Sequence, residues 1–190
     1  MHRSLNFEIP KSQILNINTY KSLHWAVKGK LTEYLRTLAI NEGILHHETQ
    51  NVLLVNDRLE WLQKLSEQKV KKAQRTKVLK KQGLTAKEVK AQVDEEFAKA
   101  IIPEPEVHPE SLFDKYSLRV VVFSPTRRRL DPINLYPTVK AIVDGLTDAA
   151  WWPDDDYNHM KEISFTYGGL AKSSDLFEVL LEITDVEAAE

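Results

Sequence analysis

The chain has 190 residues, 42% hydrophobic and 28% charged, with a formal net charge of −2 and no cysteine. That composition suits one globular domain with an elaboration, and it excludes disulfides, thiolate zinc sites and a cysteine nucleophile. No apolar run approaches the roughly 18 residues that cross a bilayer, and the slightly acidic balance means that any affinity for nucleic acid must reside in local patches.

The N-terminal MHRSLNFEIP lacks the apolar core of a signal peptide, and the absence of cysteine fits a reducing compartment. A cytoplasmic protein with no membrane association is therefore expected. Residues 4–9 alternate apolar Leu5, Phe7 and Ile9 with polar neighbours, the period of a strand, which Pro10 ends. From Tyr20 the spacing of Leu23, Val27, Leu31, Tyr34, Leu35 and Leu38 predicts a helix closing near Gly43. Trp25 and Tyr34 on that helix are expected to pack in the core. Residues 53–65 read as a further apolar helical stretch.

Residues 69–90 carry nine basic residues against one acidic residue, Glu88. Gly83 breaks the pattern, and Thr85 with Glu88 three positions on forms a capping box that opens a new helix. A helical hairpin or a long exposed arm follows from this. Pro103, Pro105 and Pro109 then make a stiff, extended linker. Lys71, Lys72, Arg75, Lys80 and Lys81 have two readings, a solvated helix face or an arm contacting phosphates.

Residues 117–123 are β-branched and apolar, as in a buried central strand. Just beyond them come Arg127, Arg128, Arg129 and Asp131, where a strand hands over to a loop. Val139, Ile142, Val143 and Leu146 form one apolar helix face, while Lys140 and Asp144 share another and can pair at a spacing of four. A Trp-Trp-Pro corner delivers Asp154, Asp155 and Asp156. Residues 162–167 and 176–184 read as two strands joined through Gly168, Gly169 and a polar loop, with a frayed tail at 186–190. The predicted fold is α/β: a small mixed β-sheet with packed helices and a mainly helical, charged insertion. The segments are 1–45, 46–110 and 111–190.

Arginines suit a polyanion, and carboxylates arriving from two places suit a divalent metal. Phosphodiester hydrolysis needs an activated water, charge neutralisation and leaving-group stabilisation, which magnesium can serve from one or two carboxylates. Asp131 at a strand end and Asp154, Asp155 or Asp156 after the helix could converge on such an ion, with Lys140 stabilising charge on the phosphate. Each piece also has an ordinary explanation. Asp131-Pro132 is a normal helix start, the aspartate run an exposed turn, and the arginines a solvated surface.

Arg127-Arg128-Arg129, Asp131-Pro132-Ile133-Asn134, Lys140, Asp144-Gly145-Leu146, Trp152 and Asp154-Asp155 together resemble the core of the RusA family of Holliday-junction resolvases. That core runs from basic residues to Asp-x-Asp-Asn, then a helix with Lys and Asp-Ala-Leu, an aromatic corner and paired aspartates. The eight-residue interval from Leu146 to Asp154 matches. The resemblance implies a homodimeric, magnesium-dependent endonuclease, with manganese as an alternative ion, that resolves four-way DNA junctions in recombination and repair. It implies Asp131 and Asp155 as metal-binding catalytic carboxylates, Lys140 as the catalytic lysine, and Asn134 with the arginines on the DNA. The family's second metal aspartate falls on Ile133, so Asp154 or Asp156 is its candidate replacement. The entry into the helix before Lys140 is also longer by three residues. The resemblance covers about residues 117–185 well, is weak for the first strand and helix, and is absent for 46–110. The competing expectation is a non-catalytic DNA-binding or assembly protein with a degenerate site, and the insertion could equally hold a protein partner.

Overall fold

The computed structural model describes residues 1–98, 100 and 102–186. The chain forms two compact units, one of residues 1–48 with 110 onward, the other of residues 49–109.

The first unit is built on a four-stranded mixed sheet. Strand β1 (His2–Pro10) buries Leu5, Phe7 and Ile9 and exposes the residues between them. It lies antiparallel to β4 (Leu176–Asp185), which lies antiparallel to β2 (Tyr116–Ser124). Strand β3 (Met160–Leu170) pairs parallel with β2, giving the order β1-β4-β2-β3. Parallel neighbours cannot be joined by a tight turn. The crossover is made by the helix Tyr136–Asp148, whose Val139, Ile142, Val143 and Leu146 are all buried. They share one core with Leu118, Val120 and Val122 of β2 and Val179, Leu181 and Ile183 of β4.

The helix expected from Tyr20 onward starts later, as α2 (Trp25–Ile44), and a separate short helix, α1 (Ile17–Tyr20), precedes it. Each has its own cap. Asn16 Oδ1 accepts from Asn18 N at 2.9 Å, and His24 Nδ1 accepts from Ala26 N at 3.3 Å. The expectation of core packing for Trp25 and Tyr34 is overturned. Trp25 is 77% exposed and Tyr34 37%, whereas Leu35, Ala39 and Gly43 are the buried residues of α2. Trp25 opens the helix and leans on the His24 ring, with centroids 5.5 Å apart.

Gly168 and Gly169, expected in the connection after the strand, lie inside β3. The β2–β3 register passes from Val122 opposite Tyr167 to Phe123 opposite Gly169, so Gly168 is the extra residue of a bulge. A Cβ there would stand 2.7 Å from the Phe123 ring and from Val121 Cγ1, and Gly169 has φ +115°. The following loop then carries the chain past β2, so β3 and β4 are not neighbours.

The second unit contains α3 (Thr49–Lys81) and α4 (Ala86–Ala98), which pack as a hairpin around Leu79, Val89 and Val93 with Leu84 and Phe97. Gly83 turns the chain at φ +86°. The Thr85 N–H and hydroxyl donate to Glu88 Oε2 at 2.8 and 2.7 Å, and Glu88 N donates back to Thr85 Oγ1 at 3.4 Å, which is the capping box read in the sequence. The proline-rich residues 102–109 form neither helix nor strand. Of the expected frayed tail only Val186, whose N–H donates to Lys115 O at 2.9 Å, is among the described residues. Among the described residues no helix is long and apolar enough to cross a membrane.

Candidate functional site

The crossover helix, α5 (Tyr136–Asp148), carries the candidate residues Lys140 and Asp144, and three contacts fix its position. The buried Thr138 hydroxyl accepts from Leu15 N and donates to Leu15 O, both at 2.8 Å. Arg36 of α2 pairs with Asp148 at the other end. Between them α2 and α5 approach so closely that a Cβ on Gly145 would lie 2.5 Å from Arg36 O and 2.8 Å from Ala39 Cβ. The glycine standing where the resembled family carries alanine is thus required by the neighbouring backbone.

After α5 the chain is pinned by its two tryptophans. Trp151 Nε1 donates to Gly43 O at 3.1 Å and Trp152 Nε1 to Thr147 Oγ1 at 2.7 Å. His47 Nε2 meets Ala149 O at 2.6 Å, and Ala150 takes φ 58°. Burial lowers the His47 imidazole, and the hydrogen bond to Ala149 only partly opposes that. Phe113 N donates to Trp151 O, and Tyr116 N to His159 O, both at 2.9 Å. Residues 151–159 are therefore held at both ends against the start of β2.

This anchoring brings Asp155 to α5. Lys140 Nζ donates to Asp144 Oδ1 at 2.5 Å and to Asp155 Oδ2. Lys140 is 42% exposed, Asp144 31% and Asp155 19%, a half-buried mouth open to solvent. Burial works to lower the Lys140 ammonium, but the hydrogen bonds and charges of Asp144 and Asp155 outweigh it and hold it above its ordinary value. It is a permanent cation at neutral pH, so it cannot serve there as a general base.

The other aspartates are placed differently. Asp131 caps the short 3-10 turn Pro132–Leu135, its Oδ1 accepting from Ile133 N at 3.3 Å. It follows the end of β2, whereas the aspartate run precedes the start of β3, and the parallel register sets those points at opposite ends of the strand pair. Asp154 Oδ1 accepts from Asp155 N at 2.7 Å. Asp156 closes its own turn, accepting from Asn158 N at 2.9 Å, Asn158 Nδ2 at 2.8 Å and His159 N at 3.2 Å. Desolvation opposes its ionisation, yet those donors hold the carboxyl below its ordinary value. Among the described residues no group of three or more His, Cys, Asp or Glu side chains is arranged to hold a metal.

The structure thus joins Lys140 to Asp155 and adds Asp144, and it does not gather Asp131 with them. Arg127, Arg128 and Arg129 are exposed and without an ion pair among the described residues, and Asn134 is half-buried beside them in sequence. In the hairpin Lys71, Lys80 and Lys81 are exposed, while Arg75 pairs with Glu96 at 2.7 Å and Lys72 sits 5.4 Å over the Phe97 ring. A further residue belongs to the site. Tyr116 is fully buried, stacks on Trp152 with centroids 4.1 Å apart, and has a hydroxyl without a hydrogen-bond partner among the described residues. Burial, then the charges of Asp155, Asp154 and Asp156, push its ionisation far up, so it remains a neutral donor. Sequence reasoning began the strand one residue later and passed it over.

The donor set fits magnesium in kind. Asp144 and Asp155 offer hard oxygens that already touch a common cation, the Lys140 ammonium, and this ion is often held by one or two carboxylates with the rest of its shell from water and substrate. No protein-family model matches the chain, and no curated protein matches it.

Proposed function

We propose that the chain is a magnesium-dependent, structure-specific endonuclease of RusA type that cuts four-way and other branched DNA as a homodimer. The observation that supports this best is the Lys140 bridge between Asp144 and Asp155, residues of the motif that resembles that family's core. Asp144 and Asp155 would hold the ion, with Asp154 adjoining. When bound, magnesium or manganese supplies charge neutralisation and an acidified water.

The chain's own residues do the rest. Lys140 keeps its proton, so it exchanges its carboxylate partners for a phosphate oxygen and stabilises the charge that develops there. Arg127, Arg128 and Arg129 neutralise the flanking phosphates and set the register of the strand without reading its bases. Asn134 lies where a polar side chain can steady the same backbone. Two-fold symmetry would present two such sites to opposing strands of a junction.

A second reading has its own observation. Lys140, Asp144 and Asp155 already neutralise one another, Asp131 already caps a turn, and Ile133 offers no oxygen. Such a chain would bind DNA or an assembly partner without cutting. A synthetic four-way junction incubated with and without magnesium separates the two. Paired nicks that need the ion support hydrolysis, and an intact but bound junction supports the second reading.

A further inference from the structure

The cations of the hairpin are not used alike. Lower on the two helices several are matched: Lys64 pairs with Glu60 and Arg75 with Glu96, each at 2.7 Å, and Lys72 lies over Phe97, while Lys69 and Lys71 are exposed without an ion pair among the described residues. Around the turn none is matched. Lys77, Lys80, Lys81, Lys87 and Lys90 are all exposed and carry no ion pair among the described residues. The one carboxylate of the turn, Glu88, is engaged by Thr85. Lys80 of α3 and Lys90 of α4 line one groove between the helices, where Asp94 is the sole acidic residue lining it.

Lys77 stands three and four residues from Lys80 and Lys81, and Lys87 three from Lys90. Like charges at those spacings destabilise a helix; the dipole of α3 offsets this for Lys80 and Lys81 in its last turn, but not for Lys87 and Lys90 in the first turns of α4. Five such cations around one turn are complementary in charge to a polyanion.

The kind of polyanion follows from what the turn lacks. No Phe, Trp or Tyr occurs between Trp61 and Phe97, so there is no platform for stacking unpaired bases. The apolar residues Leu79, Val89 and Val93 are buried in the hairpin, and Val78 alone is a large apolar side chain exposed beside the lysines among the described residues, too little to insert into a lipid surface. The cations are lysines, point charges that neutralise phosphate without the planar fork that reads guanine.

We propose that the turn of the α3–α4 hairpin, through Lys77, Lys80, Lys81, Lys87 and Lys90, is a sequence-independent docking surface for the phosphate backbone of double-stranded nucleic acid. It gives the insertion a purpose apart from the hydrolytic site, and it stands whether or not the chain cuts DNA.

The test reads binding alone. The full chain and the variant Lys80→Gln/Lys81→Gln/Lys90→Gln are titrated with a linear B-form DNA duplex in magnesium-free buffer over a series of salt concentrations. Each phosphate contact contributes roughly 0.9 to the log–log salt slope, so the variant slope is shallower by about 2.7 and its affinity falls on the order of 10²-fold near 0.1 M salt. Lys64→Gln, which removes a lysine already matched by Glu60, leaves the slope unchanged. Circular dichroism fixes the helical content of each variant. The proposal is overturned if the triple variant keeps the wild-type slope while remaining helical. It is equally overturned if wild type does not bind the duplex, or if the lysines matter only for vesicles containing phosphatidylserine.

Discussion

Gly145→Ala tests what holds α5, and with it Lys140 and Asp144, in place. In a free helix this substitution stabilises, by about 1 kcal/mol through propensity alone. Here the added Cβ would meet Arg36 O at 2.5 Å, Ala39 Cβ at 2.8 Å and Arg36 Cα at 3.0 Å. Two of those three atoms are backbone and cannot rotate away. Overpacking of this kind costs roughly 1–3 kcal/mol, and rigid backbone places it in the upper part of that range, so the net result is a loss of about 1–2 kcal/mol. Gly29 of α2 is the control, since a Cβ there meets nothing within 4 Å. Gly29→Ala should stabilise by about 0.5–1 kcal/mol. Thermal unfolding followed by fluorescence of the buried Trp151 and Trp152 reports on this unit. Opposite signs are expected, with Gly145→Ala lowering Tm by roughly 3–8 °C. A Gly145→Ala chain as stable as wild type would refute the close approach of α2 and α5.

Thr138→Val leaves both Leu15 N and Leu15 O without their buried partner, and a loss of about 1–3 kcal/mol should appear in chemical denaturation. Ile133 is 51% exposed, so Ile133→Asp buries no charge, and stability in thermal unfolding should stay within about 0.5 kcal/mol of wild type. Asp156 is held ionised by Asn158 and His159. Its folded value lies below its unfolded one, so its contribution is present above the ordinary carboxylate range and disappears as pH falls through the folded value. Asp156→Asn should flatten that acid limb of the unfolding curve and leave magnesium binding as in wild type.

Much of the frame was legible because it is local. The burial of Val139, Ile142, Val143 and Leu146 follows from a 3.6-residue period, that of Leu5, Phe7 and Ile9 from a period of two, and the Thr85–Glu88 box from adjacent chemistry. The Lys140–Asp144 pair was likewise written in a spacing of four. Asp155 joins that pair only through the buried tryptophan anchors, which no local pattern announces. Trp25 and Tyr34 misled because apolar character says nothing about side. The buried residues Leu35, Ala39 and Gly43 recur every four positions along α2; at 100° per residue Tyr34 points 100° or more away from each of them, and Trp25 is the first residue of the helix, ten positions ahead of the first buried one. Tyr116 carries no local signal in the sequence, since its orphaned buried hydroxyl near the aspartate run exists only after β2 and residues 151–159 have met.

The central claim is that Asp155, held on Lys140, belongs to a cation-dependent phosphodiesterase centre. Its most direct test is single-turnover cleavage of a four-way junction in magnesium by wild type and by Asp155→Asn. The account predicts metal-dependent cutting by wild type, a loss of at least about 10²-fold in the variant, and junction binding that is retained or tightened as one negative charge leaves the site. Cleavage by Asp155→Asn at the wild-type rate would contradict it.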